Sequence, residues 1–261
     1  MSSVTGTAAP ATATGTPPAG TILAALLRAD WVVFRQRRRT LVISLLLPLV
    51  ILVTSKGKRL GHDGLLELIG LAITYGLLST SLMGYALTVS RDREIGVFQR
   101  LRVTPATTWM IMASRLGIQV VVNLVIALVV VIVGARIHNV SLSLANYLLV
   151  LAVSILAGAM FLAIGQTIVG LVKSAETVQA VARVVFGILF VIGVLGLDGV
   201  LGGFWNTLAK WSPVGVSMTL FTGVIRLSDW AANDSWAILA AFGYIVILAG
   251  IGIRWFQWQT R

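Results

Sequence analysis

The chain has 261 residues, of which 57% are hydrophobic and 11% charged, and its net charge is +11. Soluble domains carry about 25% charged residues, so this composition excludes a soluble multi-domain protein and predicts a chain that keeps most of its surface in lipid. Lys and Arg retained on the cytoplasmic side of a membrane explain the positive charge without nucleic-acid binding. The absence of cysteine excludes disulfides and thiolate sites.

The first segment, residues 1–20, consists mainly of Ser, Thr, Ala, Gly and Pro and has no charged side chain and no apolar run. Such a segment buries too little surface to offset its ordering entropy. It also lacks the basic start and apolar middle of a signal peptide. We therefore expect a disordered cytoplasmic tail.

The next segment, residues 21–39, has a helical pattern. Leu23, Leu27 and Trp31 fall on one side of a helix, and the segment ends in a cluster of arginines. This pattern predicts an amphipathic connecting helix at the cytoplasmic interface. An ordinary extension of the first span is the alternative, and Asp30 falls within the apolar arc, where it does not fit the amphipathic pattern.

Residues 40–261 contain six apolar runs, which predict an all-α polytopic membrane domain with six transmembrane helices. The runs cover residues 41–55, 65–90, 109–133, 144–172, 178–197 and 236–253. Pro48 predicts a kink in the short first run. With the N-terminus inside, twelve Lys and Arg residues fall on the cytoplasmic side and six outside, which favours cytoplasmic termini.

The link between the second and third spans mixes acidic, basic and apolar residues at helical spacing. Val97, Phe98 and Leu101 share one side, which predicts a short amphipathic helix over residues 91–104 on the cytoplasmic surface. From the residues alone, docking of a soluble partner and binding to anionic headgroups explain this helix equally well.

A family resemblance favours the docking role. Glu94-x-Gly96, followed by Gln-Arg-Leu-Arg-Val-Thr-Pro at residues 99–105, resembles the cytoplasmic signature of ABC-2 type permeases, especially bacterial drug and antibiotic exporters. The resemblance extends over nearly everything after Gly20. It implies a bacterial inner-membrane subunit that forms a homodimer, or a heterodimer with a second permease, and moves its cargo by alternating access.

The resemblance also implies that the coupling helix fits a groove on a separate ATPase subunit. The implied contact residues are Arg93, Glu94, Gly96, Phe98, Arg100, Leu101 and Arg102.

The sequence itself supplies no ATPase. It lacks G-x-x-x-x-G-K-[ST], and the nearest cluster, Lys56-Gly-Lys58, lacks both the first glycine and the Ser or Thr. We therefore predict no catalytic residues and no cofactor in this chain, with ATP and Mg²⁺ bound by the partner. His62 and His138 lie in separate external loops without clustered acids, so we predict no metal site.

The external link, residues 198–235, contains Ser212-Pro213, a plausible helix start, and then an apolar run too short to span. We predict external helices that lie on the surface or re-enter the membrane. The resemblance implies that they cap the exit of the substrate path, which makes Phe204, Trp205, Trp211 and Pro213 candidate gate residues. An interfacial loop anchored by the two tryptophans is the alternative.

Few polar residues lie inside the spans. Gln179 and Arg183 are candidates for the substrate path, although Arg183 and Arg115 lie near enough to the cytoplasm to snorkel. The amides of Gln119, Asn123 and Gln166 are expected to join helices. A stripe of small residues, Gly76, Thr80 and Gly84, favours close helix packing.

Two other functional classes find less support. An ion-driven secondary transporter would need acids at the bilayer midplane, whereas Glu67, the only carboxylate inside an apolar run, lies at an outer end. A membrane enzyme would need clustered His, Asp or Ser. Within the exporter class, the sequence favours a hydrophobic or amphipathic cargo and leaves drug export and export of lipid or polysaccharide open.

Overall fold

The structure, a computed structural model, describes residues 18–36, 38–56, 61–96, 107–198, 202–227 and 230–255. Within these ranges the chain is helical and has no strand, which confirms the predicted all-α class. The elements in chain order are α1 (Ala19–Gln36), α2 (Arg38–Thr54), α3 (His62–Leu77), a π-helix (Leu78–Gly84), α4 (Tyr85–Glu94), α5 (Thr108–His138), α6 (Leu144–Leu171), α7 (Ala175–Asp198), α8 (Gly203–Trp211), α9 (Pro213–Ile225) and α10 (Ala232–Arg254).

Five helical stretches of the described chain are long and apolar enough to cross a membrane. They are Asp63–Glu94, Ala113–His138, Leu144–Leu171, Ala175–Leu195 and Ala232–Gly252. They correspond to the second to sixth predicted spans. The first predicted span is α2, a 17-residue helix with Pro48 inside it. At 1.5 Å per residue its length is about 25 Å, less than the ~30 Å hydrocarbon core, so length and composition support five spans directly.

The outer helices expose large apolar side chains at helical spacing. On α7 these are Val184, Ile188 and Val191, each more than half exposed, and on α10 they include Leu239 and Val246. Soluble proteins rarely expose contiguous apolar faces of this kind. Contact between these apolar side chains and lipid tails carries no free-energy penalty. The chain is therefore a multi-pass membrane protein.

The second span occupies the centre of the bundle. Its three segments follow one another without a break from residue 62 to residue 94. The α3 segment packs against α2, α5 and α9, whereas the π-helix and α4 pack against α6 and α7. The Tyr75 hydroxyl donates a hydrogen bond of 2.6 Å to the carbonyl of Phe190 on α7. Any displacement of this helix would therefore disturb its contacts with most of the other helices.

The small-residue stripe is used for close packing at only two of its three positions. A Cβ on Gly76 would lie 2.8 Å from Ile126 of α5, and Thr80 contacts Asn123 of the same helix. Gly84, by contrast, has only the carbonyl of Ser79 nearby. The π-helix turns less per residue than an α-helix, which rotates Gly84 away from the stripe.

The amino-terminal helix α1 packs along α5. Leu26 and Leu27 are half-buried while Trp31 is exposed. Asp30, which does not fit the amphipathic pattern, accepts a hydrogen bond from the Ser114 hydroxyl of α5. This acid faces a polar partner on a neighbouring helix, which the sequence of α1 alone does not reveal.

The described residues of the predicted external link include two short helices, α8 and α9. The Ser212 hydroxyl caps α9 by accepting a hydrogen bond from the Gly215 amide, and Pro213 occupies the first turn, as the sequence predicts. Most of α9 is buried, including Leu220 and Phe221 at 0% exposure. It packs against α3, α6 and α10 within the bundle.

Candidate functional site

The helix of the second span continues four residues beyond its predicted end at Ser90. It ends at Glu94, and Gly96 then adopts a positive φ of 71°. Glycine reaches this left-handed conformation at the end of a helix without steric cost. Residues 91–94 therefore form the last turn of α4 and not the start of a separate helix, and residues 97–104 of the predicted coupling helix lie outside the described residues.

The extension places Asp92 beside α5. Its carboxylate forms an ion pair with the Arg115 guanidinium, and the two side chains are only 11% and 14% exposed. Arg115 thus has a partner inside the protein and does not simply snorkel to the cytoplasm. In the sequence, this pair is indicated only by the opposite charges of Asp92 and Arg115 near the facing ends of the second and third spans.

Arg93 points toward the end of α6 and is 5% exposed. Its guanidinium donates hydrogen bonds to the carbonyls of Val169, Val172 and Lys173 at 3.0, 2.7 and 2.6 Å. Carbonyls at the end of a helix lack partners within the helix and carry the negative end of its dipole. Arg93 therefore supplies the missing donors and a matching charge.

Glu94 contacts the start of α7. Its carboxylate accepts a hydrogen bond of 3.2 Å from the amide of Ala175, the first residue of that helix. A carboxylate is favourable at the positive end of a helix dipole. Asp92, Arg93 and Glu94, the charged triplet, thus attach the last turn of α4 to α5, α6 and α7 respectively.

The predicted ATPase contacts fall into two groups. Arg93 and Glu94 make contacts within the chain, and Gly96 ends the helix. Phe98, Arg100, Leu101 and Arg102 lie outside the described residues. Exposed groups next to the triplet are Arg91 and Ile95, the latter 60% exposed. The role of all seven residues in ATPase binding stays a prediction.

Residues 21–225 match the family described as ABC-2 type transporter, so the match covers most of the chain and includes the charged triplet and the segment after it. The chain belongs to the ABC-2 transporter family. No individual curated protein matches the sequence. The domain is a permease component, and ABC-2 permeases normally pair with an ABC ATPase subunit.

Inside the bundle, this ABC-2 transporter has a buried polar cluster on the π-helix. The Asn123 amide oxygen lies within hydrogen-bond distance of the hydroxyls of Thr80 and Ser81, at 3.1 and 2.9 Å, and of the Gln119 amide, at 3.3 Å. Asn123 is 1% exposed. Gly158 leaves room for it, because a Cβ there would overlap its amide group. Asn123 therefore joins α5 to the π-helix, as the sequence predicts, whereas the Gln119 amide bonds to Asn123 within α5.

The remaining predicted residues are placed as follows. Gln166 accepts a hydrogen bond from the Tyr85 hydroxyl, a further helix-joining contact. Gln179 and Arg183 lie one turn apart on α7, with 3.5 Å between the amide oxygen and the guanidinium, and Arg183 is exposed. Their role in the substrate path stays a prediction.

The candidate gate residues lie on α8 and at the start of α9. Phe204 and Trp205 are 74% and 52% exposed, and their rings meet edge-to-face at 5.6 Å. The Trp211 carbonyl accepts a hydrogen bond of 2.9 Å from the Tyr244 hydroxyl of α10. Pro213 begins α9. Gating by these residues stays a prediction.

Proposed function

We propose that this ABC-2 permease is the transmembrane subunit of an ATP-driven exporter and that the charged triplet transmits the movement of the ATPase to the spans. The observation that carries the proposal is the position of the triplet. It precedes the segment that resembles a coupling helix, and its three members contact three different helices.

The mechanism follows from these contacts. ATP binding closes the pair of ATPase subunits and displaces the coupling segment after Gly96. Since that segment directly follows α4 in the chain, its displacement pulls on Asp92, Arg93 and Glu94 together. The cytoplasmic ends of α5, α6 and α7 then move with α4, which opens the path outward. ATP hydrolysis itself takes place on the separate subunit, because this sequence has no phosphate-binding loop.

In the proposed topology, α2 is also a span, which brings the total to six, and both termini are in the cytoplasm of a bacterial cell, with the protein in the inner membrane. The helix α9 re-enters the membrane from outside, because its 13 residues reach only about 20 Å yet most of them are buried. Two copies, or one copy and a second permease, enclose the substrate path.

The proposed cargo is a hydrophobic or amphipathic compound, as in drug efflux and antibiotic resistance. The polar groups inside the described spans are mostly amides and hydroxyls that bond to one another. A path of this kind offers little to a strongly charged cargo. Lipid or polysaccharide export is the alternative within the same class.

The test is to purify the chain with and without the ATPase encoded beside it and to reconstitute both preparations in vesicles. We expect ATP hydrolysis and uptake of a fluorescent amphipathic drug into inside-out vesicles only when the ATPase is present. Robust hydrolysis by the isolated chain, or uptake driven by an ion gradient without ATP, would contradict the proposal.

A further inference from the structure

A cavity of about 600 Å³ lies at the end of the bundle opposite the charged triplet. Its walls come from the first turns of α3 and α10, from α8 and α9, and from Ile192 and Gly193 of α7. Small-molecule sites typically have volumes of roughly 300–1,000 Å³. The cavity is therefore large enough for a ligand of that class.

The first distinctive group in the wall is Glu67 on α3. Its side chain is half-buried and makes no hydrogen bond or ion pair with the residues that the structure describes. A carboxylate that borders a cavity without a partner has its acceptor positions open to a ligand. Glu67 therefore favours a ligand that brings a positive charge and hydrogen-bond donors.

Two further acceptors lie in the same wall. The Asn206 amide oxygen is buried and has no donor among the described residues. Asp234 accepts one hydrogen bond of 2.8 Å, from the Ala231 amide, although a carboxylate offers about four acceptor positions. All three groups have acceptor positions that the described residues leave without a donor.

The basic residues of the wall do not meet this need. Arg226 forms an ion pair with Asp63 at 3.1 Å, and Lys210 is exposed. The charged lining residues are two carboxylates, Glu67 and Asp234, and two cations, Lys210 and Arg226.

We propose that this cavity binds a primary ammonium group attached to an apolar body. The ammonium donates to Glu67, with Asn206 and Asp234 as further acceptors, while Ile192 and Met218 contact the apolar part. A metal ion would require three or more clustered ligands, and the described residues contain no such cluster. An anion would be repelled by the unpaired carboxylate of Glu67.

Two kinds of ligand combine a primary ammonium group with an apolar part: a soluble amphipathic amine and the lipid phosphatidylethanolamine. The inference does not rest on the proposed export function, because binding is measured without ATP and without the ATPase. Its failure would leave that function untouched.

The experiment uses the full chain in nanodiscs of phosphatidylglycerol, which has no amine, and isothermal titration calorimetry against empty nanodiscs. The probes are 4-phenylbutylamine and its neutral counterpart 4-phenylbutanol. In a second arm, native mass spectrometry compares retention of phosphatidylethanolamine with that of phosphatidylcholine, whose quaternary ammonium has no N–H donor.

We expect the amine to bind at least about tenfold more tightly than the alcohol, or phosphatidylethanolamine to be retained over phosphatidylcholine. Amine binding alone identifies a soluble ligand, and lipid retention alone identifies the headgroup. Equal binding of amine and alcohol together with equal retention of the two lipids would overturn the proposal.

Three variants locate the site. Glu67→Gln should reduce the preference at least about tenfold, since it removes the charge and keeps the shape. Glu176→Gln makes the same change at an exposed position on the first turn of α7 and should have no effect. Lys210→Gln removes a cation from the wall and should strengthen amine binding. An unchanged preference in Glu67→Gln, or weaker amine binding in Lys210→Gln, would refute the assignment.

Discussion

The two ends of the second span differ in how their charges are satisfied. At the end that we propose to be cytoplasmic, Asp92, Arg93 and Glu94 all have partners on other helices. Near the outer end, Glu67 has none among the described residues and borders a cavity. Charges with partners fix the position of a helix, whereas an unpaired charge at a cavity is available to a ligand. We therefore propose that one helix transmits force at one end and binds a ligand at the other.

The ion pairs at the two ends also differ: the pair near the charged triplet is largely buried, whereas the pair near the cavity is exposed. The side chains of Asp92 and Arg115 are 11% and 14% exposed, whereas those of Asp63 and Arg226 are 70% and 31% exposed. Surface pairs contribute about 0–1 kcal/mol because water and salt screen them. Removing one partner of a buried pair costs about 3–5 kcal/mol, because the other charge stays buried without compensation.

The largest expected effect therefore comes from breaking the inner pair. We expect Arg115→Gln alone to destabilise the protein by about 3–5 kcal/mol, and the double variant Asp92→Asn with Arg115→Gln to regain most of that loss. The apparent Tm in detergent measures both. Asp63→Asn is the matched outer control and should change stability by less than about 1 kcal/mol. Equal losses at the two ends would remove the contrast between them.

A second prediction concerns the segment beyond Gly96, where the inner end is proposed to meet the ATPase. Phe98→Ala with Leu101→Ala should weaken ATPase recruitment by about 2 kcal/mol or more, because truncating interface anchors typically has this cost. Membrane insertion should be unchanged, since the apolar spans determine it. Co-purification of the ATPase is the measurement. Recruitment at the wild-type level would indicate that the segment after Gly96 binds only lipid headgroups.

The smallest effect is expected from Arg93→Lys. A lysine keeps the charge but lacks the planar guanidinium that reaches three carbonyls, so we expect a loss of about 1–2 kcal/mol in stability. Arg91→Lys makes the same change on the same turn, at an exposed position, and should stay within about 0.5 kcal/mol of wild type. Similar Tm values for the two variants would show that the hydrogen bonds to α6 contribute nothing.

Much of the fold was predictable because apolar runs report directly on burial in lipid. Five of the six runs correspond to helices of spanning length, and Ser212-Pro213 marks the start of α9. The predicted end at Ser90 was wrong by four residues because hydropathy falls where charges begin. The helix continues because Asp92, Arg93 and Glu94 find partners on other spans, and such pairing is not visible in a linear pattern.

The candidate sites were predictable to a lesser degree. The resemblance points to the residues around Glu94 and implies that Arg93 contacts the partner, but it does not reveal the three hydrogen bonds that the Arg93 guanidinium donates to carbonyls of its own chain. Glu67 stands out in the sequence as an acid at the outer end of a span. Its significance depends on Asn206 and Asp234, which are more than a hundred residues away and meet it only across a folded cavity.

The central claim is that the charged triplet couples the ATPase to the spans, and the double variant Asp92→Asn with Arg115→Gln tests it most directly. The measurement is drug transported per ATP hydrolysed in reconstituted vesicles, with the ATPase co-purified. We predict normal ATPase recruitment but a loss of about fivefold or more in transport per ATP, since coupling free energies are typically about 1–3 kcal/mol. Wild-type transport per ATP in this stable double variant would contradict the account.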